Sequence, residues 1–330
     1  MQSINRRAAS AAVVAALLPI GRQVHAQPQA FPSRTISVVV GFPPGGATDV
    51  TARVIQPTLQ KAWGQAVIVE NVPGAGGSIG VQKMLGLPAD GHVLFLGTAS
   101  DTVLTPLAIQ TARYKAESLR LVGYLGQTDF IVAARPGLTF ASLDEMVEES
   151  RKGKELSYAS FGHGSIYHLI GEDLRARSGM KLLHVPFQGM GPTITNLIGN
   201  QIDLAFLPIA GQTVGLVNAG RVRALAVTGA RRNAQLPSVP VVDETRAAHG
   251  LHHTVWLGMF APLDLPGEAA AKVNSAVNSA IQTAEYRTYA AENGMRLPDP
   301  AFGLEACARF YAAEAVRMRQ LAAAVKLEPR

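Results

Sequence analysis

Short apolar runs alternate with amphipathic segments through most of the chain. The β-branched runs at residues 36–40 and 66–70 each precede a glycine-rich turn, and helical patterns follow at residues 48–63 and 79–85. Strands separated by helices of about 10 to 15 residues indicate βαβ units, whose sheets are mostly parallel. Further strands are predicted at residues 93–96, 131–134, 156–159, 182–185, 202–206 and 224–227, and further helices at 143–151, 167–177 and 192–198.

The last third of the chain is helical. Three helices are predicted at residues 272–284, 285–293 and 304–325. This order of elements predicts an α/β fold of two lobes, each with a mostly parallel sheet flanked by helices. Segments near residues 123–130 and 228–235 are predicted to connect the lobes. Lobe 1 then comprises residues 27–127 and the returning segment 232–330, and lobe 2 comprises residues 128–231.

Residues 1–26 have the pattern of a secretory signal peptide. Arg6 and Arg7 precede an apolar stretch at residues 8–20, and Val24-His25-Ala26 is close to the small-x-small cleavage pattern. The apolar stretch, about 13 residues, is too short to span a bilayer of about 30 Å as a helix. We therefore expect cleavage after Ala26 and export of the mature protein.

The composition describes a folded chain with an ordinary surface. A hydrophobic content of 48% and a charged content of 16% exclude a disordered protein. The net charge of +6 falls to +3 without Arg6, Arg7 and Arg22 of the predicted signal peptide, and so indicates neither nucleic acid nor a membrane as a partner. The single cysteine, Cys307, allows no internal disulfide and is predicted to pack within a helix.

The glycine-rich turns carry the clearest indication of chemistry. Residues 42–49 and residues 71–78 each join a strand to a helix, and each contains consecutive glycines that allow close approach to the main chain. The free N–H groups and the dipole at a helix start favour a negative charge. In a parallel sheet both turns lie at the carboxyl end, where open α/β folds bind ligands. The pair predicts an anion cradle; tight strand-to-helix turning is the structural alternative.

Other motifs fit less well. Residues 76–80 match G-x-S-x-G, which would make Ser78 the nucleophile of a hydrolase, but no feature selects the required Asp and His. The dinucleotide fingerprint fails because Ile79 occupies the third glycine position, and neither turn ends as a P-loop does. His163 and His168 lack the partners of a metal site. Neither a metal nor a cofactor is predicted.

Polar turns also occur in the second half of the chain. Residues 157–165 lead into a helix that contains His168, and Ser165 is placed to cap that helix. Residues 184–189 form another strand end before a helix start. If the lobes face each other, these turns form the wall opposite the anion cradle.

Motifs in a fixed order extend from about residue 34 to residue 326. They include Phe42-Pro43-Pro44-Gly45-Gly46 with Asp49, Pro73-Gly74-Ala75-Gly76-Gly77, Gly162-x-Gly164-Ser165 with His168, His184-Val185-Pro186-Phe187 with Gly189, and Trp256-x-Gly258-x-Phe260-Ala261-Pro262. In these motifs the chain resembles the Bug family of extracytoplasmic solute receptors, the binding proteins of tripartite tricarboxylate (TctC-type) transporters. The resemblance implies a periplasmic, two-lobed Venus-flytrap (type II) receptor for a small carboxylate.

The same resemblance implies which residues bind the ligand. The first lobe would contribute Phe42, Gly45, Gly46, Ala47, Gly74, Ala75, Gly76, Ser78, Thr98 and Ser100, and the second Ser160, Gly162, Ser165, His168, Phe187 and Gly189. It further implies membrane permease subunits as partners, with the receptor expected to be a monomer. A ligand-sensing receptor of a signalling system is the alternative function, and a hydrolase using Ser78 is a more distant one.

One position departs from the family pattern. Many relatives carry an Asp after the Phe of the strand at residues 202–206, where this chain has Leu207. An Asp there would neutralise a ligand ammonium, whereas Leu207 leaves such a cation unpaired at a high cost. Leu207 is therefore predicted to line the site, amino acids are expected to bind poorly, and an apolar or aromatic carboxylate is the expected ligand.

Overall fold

The computed structural model describes residues 31–300 and 302–330. The signal peptide predicted at residues 1–26, with its cleavage after Ala26, lies outside the described residues. The strands are β1 (Ile36–Val40), β2 (Val67–Asn71), β3 (Val93–Gly97), β4 (Leu119–Ala134), β5 (Leu156–Ser160), β6 (Leu182–Pro186), β7 (Leu204–Pro208), β8 (Arg223–Val227) and β9 (Thr254–Pro262). The α-helices are α1 (Ala47–Trp63), α2 (Ser78–Leu85), α3 (Thr105–Ala108), α4 (Leu143–Arg151), α5 (Ile166–Ser178), α6 (Met190–Ile198), α7 (Gly211–Asn218), α8 (Gly267–Ile281), α9 (Ala284–Glu292) and α10 (Leu304–Ala324).

The strands form two sheets that share β4. Sheet A has the order β2-β1-β3-β9-β4, and sheet B continues from β4 through β7, β5 and β6, with β8 on β4 as well. The strands connected by helices, β1 with β2 and β3, and β5 with β6 and β7, are parallel. The antiparallel pairs all involve β4 or β9. The α/β prediction is confirmed, with antiparallel pairing at the centre.

β4 is the main difference from the predicted elements. Only residues 131–134 were expected to form a strand, yet β4 spans 16 residues and pairs along most of its first part with β9, which was not predicted. Gly123 and Gly126 interrupt the apolar alternation and lie at shifts in the β4–β9 register. A Cβ on Gly123 would come to 2.7 Å of Val277 on α8, so close helix packing explains this glycine. The predicted strand at residues 202–206 is displaced, since β7 begins at Leu204.

Aliphatic side chains hold the helices on both faces of the sheets. On one face of sheet A, Ile55 and Leu59 of α1 and Val277 of α8 are fully buried in a cluster with β1, β3 and β4. The opposite face is covered by α2 and α10, where Cys307 is fully buried in the packing role predicted for it. Each such aliphatic side chain contributes about 1.5–3 kcal/mol by burial. The packing fixes the helix starts against the strand ends, and so positions the loops between them.

Candidate functional site

Three loops lie at one edge of sheet A. The first glycine loop (residues 41–46) joins β1 to α1, the second (residues 72–77) joins β2 to α2, and the third loop (residues 98–101) follows β3. Because β2, β1 and β3 are parallel neighbours, the three loops leave the sheet at the same end. The first two approach each other closely, since a Cβ on Gly41 would come to 2.7 Å of the Gly77 Cα. The structure thus brings together the residues predicted for the first lobe.

Both glycine loops end in a helix start without a side-chain cap. Gly46 is the N-cap of α1 and Gly77 is the N-cap of α2, and neither has a side chain that would accept from the first N–H groups. Gly45, Ala47, Ala75 and Gly76 are exposed at this surface. The arrangement places two positive helix ends on adjoining loops, which suits a carboxylate. At α2, Gly77 and Ser78 are buried and their N–H groups donate to the Gly74 and Ala75 carbonyls, so the accessible surface there is that of Ala75 and Gly76.

Asp49 holds the first glycine loop against the end of β2. Its carboxylate, 2% exposed, accepts from the Gly45 N–H at 2.8 Å and from the Asn71 side-chain amide at 3.0 Å. The same amide group donates to the Phe42 carbonyl at 3.0 Å. Burial opposes ionisation of Asp49, but the hydrogen bonds from Arg53, Gly45 and Asn71 outweigh it and lower the pKa of this carboxyl. Asp49 is therefore ionised and paired at neutral pH.

The second glycine loop depends on left-handed backbone. Ala75, Gly76 and Gly77 have φ values of 44°, 64° and 89°. The Gly76 carbonyl accepts from the Thr105 hydroxyl of α3 at 2.8 Å, and the Gly77 N–H donates to the Gly74 carbonyl at 3.0 Å. These contacts hold the loop in a conformation that is costly for residues other than glycine.

The third loop encloses a carboxyl group that the motif analysis missed. Asp101 is 0% exposed, and its Oδ2 accepts from the Thr98 N–H at 2.7 Å and the Thr98 hydroxyl at 3.2 Å. A Cβ on Gly77 would come to 2.9 Å of Oδ1, and one on Gly97 to 2.5 Å of Oδ2. Burial raises the pKa of Asp101 to about 7, because its hydrogen bonds with Thr98 only partly offset the loss of hydration.

A second set of predicted residues lies around the ends of β5 and β6 in sheet B. Ser165 caps α5 by accepting from the His168 N–H, and its hydroxyl donates to the Gly162 carbonyl at 2.7 Å. Ser160 is fully buried, with its Oγ 2.6 Å from Nε2 of His184. Ser160 and Ser165 thus have hydrogen-bond partners within the protein. Gly162 and Gly189, with φ values of 120° and 109°, have open space where a Cβ would lie.

Three imidazoles stack beneath this second edge. The ring centroids of His168 and His184 are 4.1 Å apart, and those of His163 and His168 are 4.9 Å apart. Burial, reinforced by the neighbouring His184 and His163, lowers the pKa of His168 to about 3, and burial lowers that of His184 to about 4. His168 and His184 are therefore neutral at neutral pH. Nδ1 of His168 accepts from the Gly164 N–H at 3.1 Å, so a proton on this neutral ring lies on Nε2.

Apolar side chains line the remaining part of the second edge. Phe187 and Met190 are partly buried and pack against the cluster that contains Leu207. Leu207 itself is 0% exposed and pairs with Ile131 across β4 and β7. Leu207 is therefore buried in this cluster rather than at the surface.

The two edges are in direct contact. The Ile166 N–H at the start of α5 donates to Ser100 Oγ at 3.1 Å, so Ser100 connects the third loop to the second edge. Gly164 packs against α3, where an added Cβ would come to 2.0 Å of the Ala108 Cβ. Residues predicted for opposite lobes are thus in direct contact.

Ser78 lacks the surroundings of a nucleophile. It is the first residue of α2, its side chain is 0% exposed, and its Oγ has no hydrogen-bond partner among the described residues. Activation of a serine requires an adjacent base, so this geometry does not support a hydrolase. Within residues 31–300 and 302–330, three or more His, Cys, Asp or Glu side chains nowhere converge as metal ligands.

Solved structures identify the class of protein. The fold matches MatC (Rpa3494) from Rhodopseudomonas palustris with bound malate, at a TM-score of 0.81 and 28% identity over 88% of this chain and 99% of that one. It also matches R. palustris Rpa4515 with adipate, at a TM-score of 0.82 and 25% identity over 91% of this chain and 100% of that one. With these matches the α/β fold is that of two-lobed periplasmic binding proteins.

The family follows from the sequence comparisons. Residues 51–327 match a family model described as "Tripartite tricarboxylate transporter family receptor". Protein BugT of Bordetella pertussis is 31% identical over 77% of this chain and 78% of its own length. The chain belongs to the TctC (Bug) family of solute-binding receptors, whose structural relatives are binding proteins. None of the helices in the described ranges has the length and apolar character of a membrane span.

Proposed function

We propose that this receptor binds a small organic carboxylate between the loops of sheet A and those of sheet B. The observation that carries the proposal is the pair of helix starts on adjoining loops, with glycines Gly46 and Gly77 as their N-caps. Backbone N–H groups and helix dipoles attract an anion without a nearby lysine or arginine. A carboxylate also fits the small net charge of the chain, since the attraction is local.

The proposed lobes are residues 27–127 with 232–330, and residues 128–231. β4 supports this division because its residues up to Asp129 pair with β9, whereas Phe130 onwards pair with β7. A cavity of about 10 Å³ between the third loop and Ile166 has room for about one water molecule. Ligand entry there requires the two edges to separate. A ligand that contacts both edges would shift the equilibrium between the open and closed lobes toward the closed state.

The proposed ligand is a carboxylate with an apolar body. Phe187 and Met190 pack against the apolar cluster that contains Leu207, so position 207 offers no carboxylate to a ligand ammonium. A buried cation without a partner is costly, which disfavours amino acids. Relatives in the same fold were solved with malate and with adipate, and adipate is the less polar of the two.

The biological setting completes the proposal. The signal-peptide pattern of residues 1–26 would export the chain to the periplasm, where the receptor, as a monomer, would deliver its ligand to membrane permease subunits of a tripartite transporter. The buried, unpartnered Ser78 hydroxyl supports binding rather than turnover. Sequence identity to binding proteins supports the same conclusion.

Calorimetry on the protein without residues 1–26 tests the ligand class. The probes are malate, adipate, benzoate, aspartate and glutamate, and we expect adipate or benzoate to bind more tightly than either amino acid. Tight aspartate or glutamate binding without binding of the apolar acids would contradict the ligand proposal. If no carboxylate in the panel bound, the proposed function itself would be refuted.

A pair of glycine variants tests the location. Gly45 and Gly220 both have positive φ, 85° and 67°, and neither has an atom within 4 Å of an added Cβ. Gly45→Ala and Gly220→Ala should therefore destabilise the fold by a similar amount, about 1 kcal/mol. Only Gly45→Ala should weaken binding of the tightest probe, because Gly220 lies between α7 and β8. Equal affinities for both variants would remove the first glycine loop from the site.

A further inference from the structure

A buried acid lies directly beneath the proposed carboxylate cradle. Asp101 belongs to a π-helical turn, Ser100–Leu104, a rare geometry that is frequent at functional sites. Its carboxyl group lies against Gly77 on one side and Gly97 on the other, in space that exists only because both residues lack a side chain. Gly77 is the N-cap of α2 and thus part of the cradle itself.

The two oxygens of this carboxyl group differ in their surroundings. Oδ2 accepts both hydrogen bonds from Thr98, whereas Oδ1, which faces Gly77, has no partner among the described residues. The neighbouring Ser78 hydroxyl is also fully buried and has no partner in the same part of the chain. Two unpartnered polar groups therefore lie under the start of α2, and a charged Oδ1 there is unfavourable.

The titratable groups around Asp101 do not supply a counter-charge. Tyr114 donates from its hydroxyl to the Asp101 carbonyl, Tyr167 of α5 interacts with the Asp101 charge, and Tyr311 of α10 lies beyond Tyr114. Burial raises the pKa of all three phenols, so each is neutral. No lysine, arginine or histidine is among the groups that shift the pKa of Asp101 in the described structure.

We propose that Asp101 is a positioning residue whose protonation accompanies ligand capture, so that the receptor takes up a proton when it binds a carboxylate. This inference rests on the proposed function. A bound carboxylate adds a negative charge above Gly77, close to an acid that has no cation to balance it. The ligand therefore favours the neutral acid, and the neutral acid favours the ligand by the same factor.

The protonated carboxyl group also suits the loop geometry. Oδ2 keeps its two hydrogen bonds from Thr98, while the hydroxyl at Oδ1 lies between Gly77 and the third loop. Neutral Asp101 then supports the cradle without repelling its occupant. Because the pKa of Asp101 is about 7, a fraction of the free receptor is already protonated at neutral pH. Binding therefore transfers up to one proton from solvent to Asp101, and release of the ligand returns it.

Isothermal titration calorimetry in two buffers of different ionisation enthalpy measures this proton directly. The probe is whichever of malate, adipate or benzoate binds most tightly at pH 7. We expect net proton uptake on binding and an affinity that falls by about fivefold or more between pH 6 and pH 8. Asp101→Asn, which mimics the neutral acid, should bind without this uptake and with a flat affinity across the same interval.

His163→Gln is the matched control. His163 lies at the second edge, where its Nε2 donates a hydrogen bond to the Glu328 carbonyl at 2.8 Å. This variant should retain the proton uptake. Loss of uptake in His163→Gln, or its persistence in Asp101→Asn, would overturn the assignment to Asp101.

The wild-type measurement decides the outcome even if Asp101→Asn does not fold. Binding with equal apparent enthalpy in both buffers means no proton uptake, which overturns the inference and leaves the proposed function intact. Absence of binding by all three probes refutes the proposed function, and this inference with it.

Discussion

Removal of the Asp49 carboxylate should loosen the first glycine loop and its connection to the end of β2. In Asp49→Ala the Gly45 N–H and the Asn71 amide each lose an acceptor, at 2.8 and 3.0 Å in the wild type. Charge-assisted hydrogen bonds of this kind contribute about 1.5 kcal/mol each at the lower end of their range. The Arg53 ion pair adds little, because the Arg53 side chain is half exposed. The expected loss of unfolding free energy is about 3 kcal/mol.

Two opposing effects act on ligand affinity in this variant. Loss of the negative charge leaves Arg53 unpaired, which favours an anionic ligand, but the Arg53 side chain is half exposed and its charge is screened by solvent. Without the hydrogen bonds to Asp49 the first glycine loop can move, so its backbone N–H groups are no longer held in place for the ligand. Loop order is the larger effect, and we expect adipate to bind at least about tenfold more weakly, equivalent to about 1.4 kcal/mol.

Urea unfolding followed by circular dichroism, together with calorimetry on adipate, measures both quantities. Glu70→Gln is the control, since Glu70 is paired with Lys83 on partly exposed side chains outside the glycine loops. It should cost less than about 1 kcal/mol. The lowered pKa of Asp49 means that its stabilisation is present above the unfolded-state pKa and is lost as pH falls through the folded-state value, so Asp49→Asn should approach wild type in acid. Unchanged stability or tighter adipate binding in Asp49→Ala would refute this reasoning.

Three further variants test separate parts of the fold. Because burial raises the folded-state pKa of Asp101 to about 7, Asp101→Asn should be more stable than wild type above pH 7, by up to about 4 kcal/mol. This difference in unfolding free energy should vanish toward pH 4. Urea unfolding at several pH values measures the difference, and a difference that does not change with pH would contradict the prediction. Gly164→Ala should cost about 3 kcal/mol or more, because its Cβ meets Ala108 at 2.0 Å; a thermal midpoint equal to wild type would show that the edges do not pack this closely. Leu207→Ala should cost about 2–5 kcal/mol in urea, since Leu207 is fully buried, and a loss below 1 kcal/mol would place it at the surface instead.

Adjacent residues in the sequence predicted the glycine loops well. Elements that depend on contacts between distant residues were predicted less well. The helix of residues 143–151 was predicted with both of its bounds, since Ser142 caps it and its apolar positions repeat. The first part of β4 was not, because its polar and glycine residues become strand only through pairing with β9, more than a hundred residues away. The pattern of apolar and polar residues in the first part of β4 does not by itself indicate the pairing with β9.

In the candidate site, too, some features follow from adjacent residues and others depend on distant contacts. The helix starts at Ala47 and Ser78 follow from adjacent residues, and the structure has them nearly where the pattern predicts. Ser100 was expected to face a ligand, yet its hydroxyl accepts from Ile166, a contact across 66 residues. No local pattern distinguishes Asp101 from an exposed acid, because its burial depends on the glycines at positions 77 and 97.

Two carboxyl groups near the proposed anion cradle are stabilised in opposite charge states. Asp49 remains charged because Arg53, Gly45 and Asn71 stabilise its ionised form. No cation among residues 31–300 and 302–330 offsets the burial of Asp101, and burial raises its pKa to about 7. A bound carboxylate adds a further negative charge, which Asp49 cannot relieve because its carboxylate is already held by its partners. Asp101 can reduce the repulsion of the bound carboxylate by accepting a proton. Two chemically identical carboxyl groups thus have different roles, because their surroundings shift their pKa values in opposite directions. The ligand affinity of this receptor should therefore depend on pH near neutrality through Asp101 and not through Asp49.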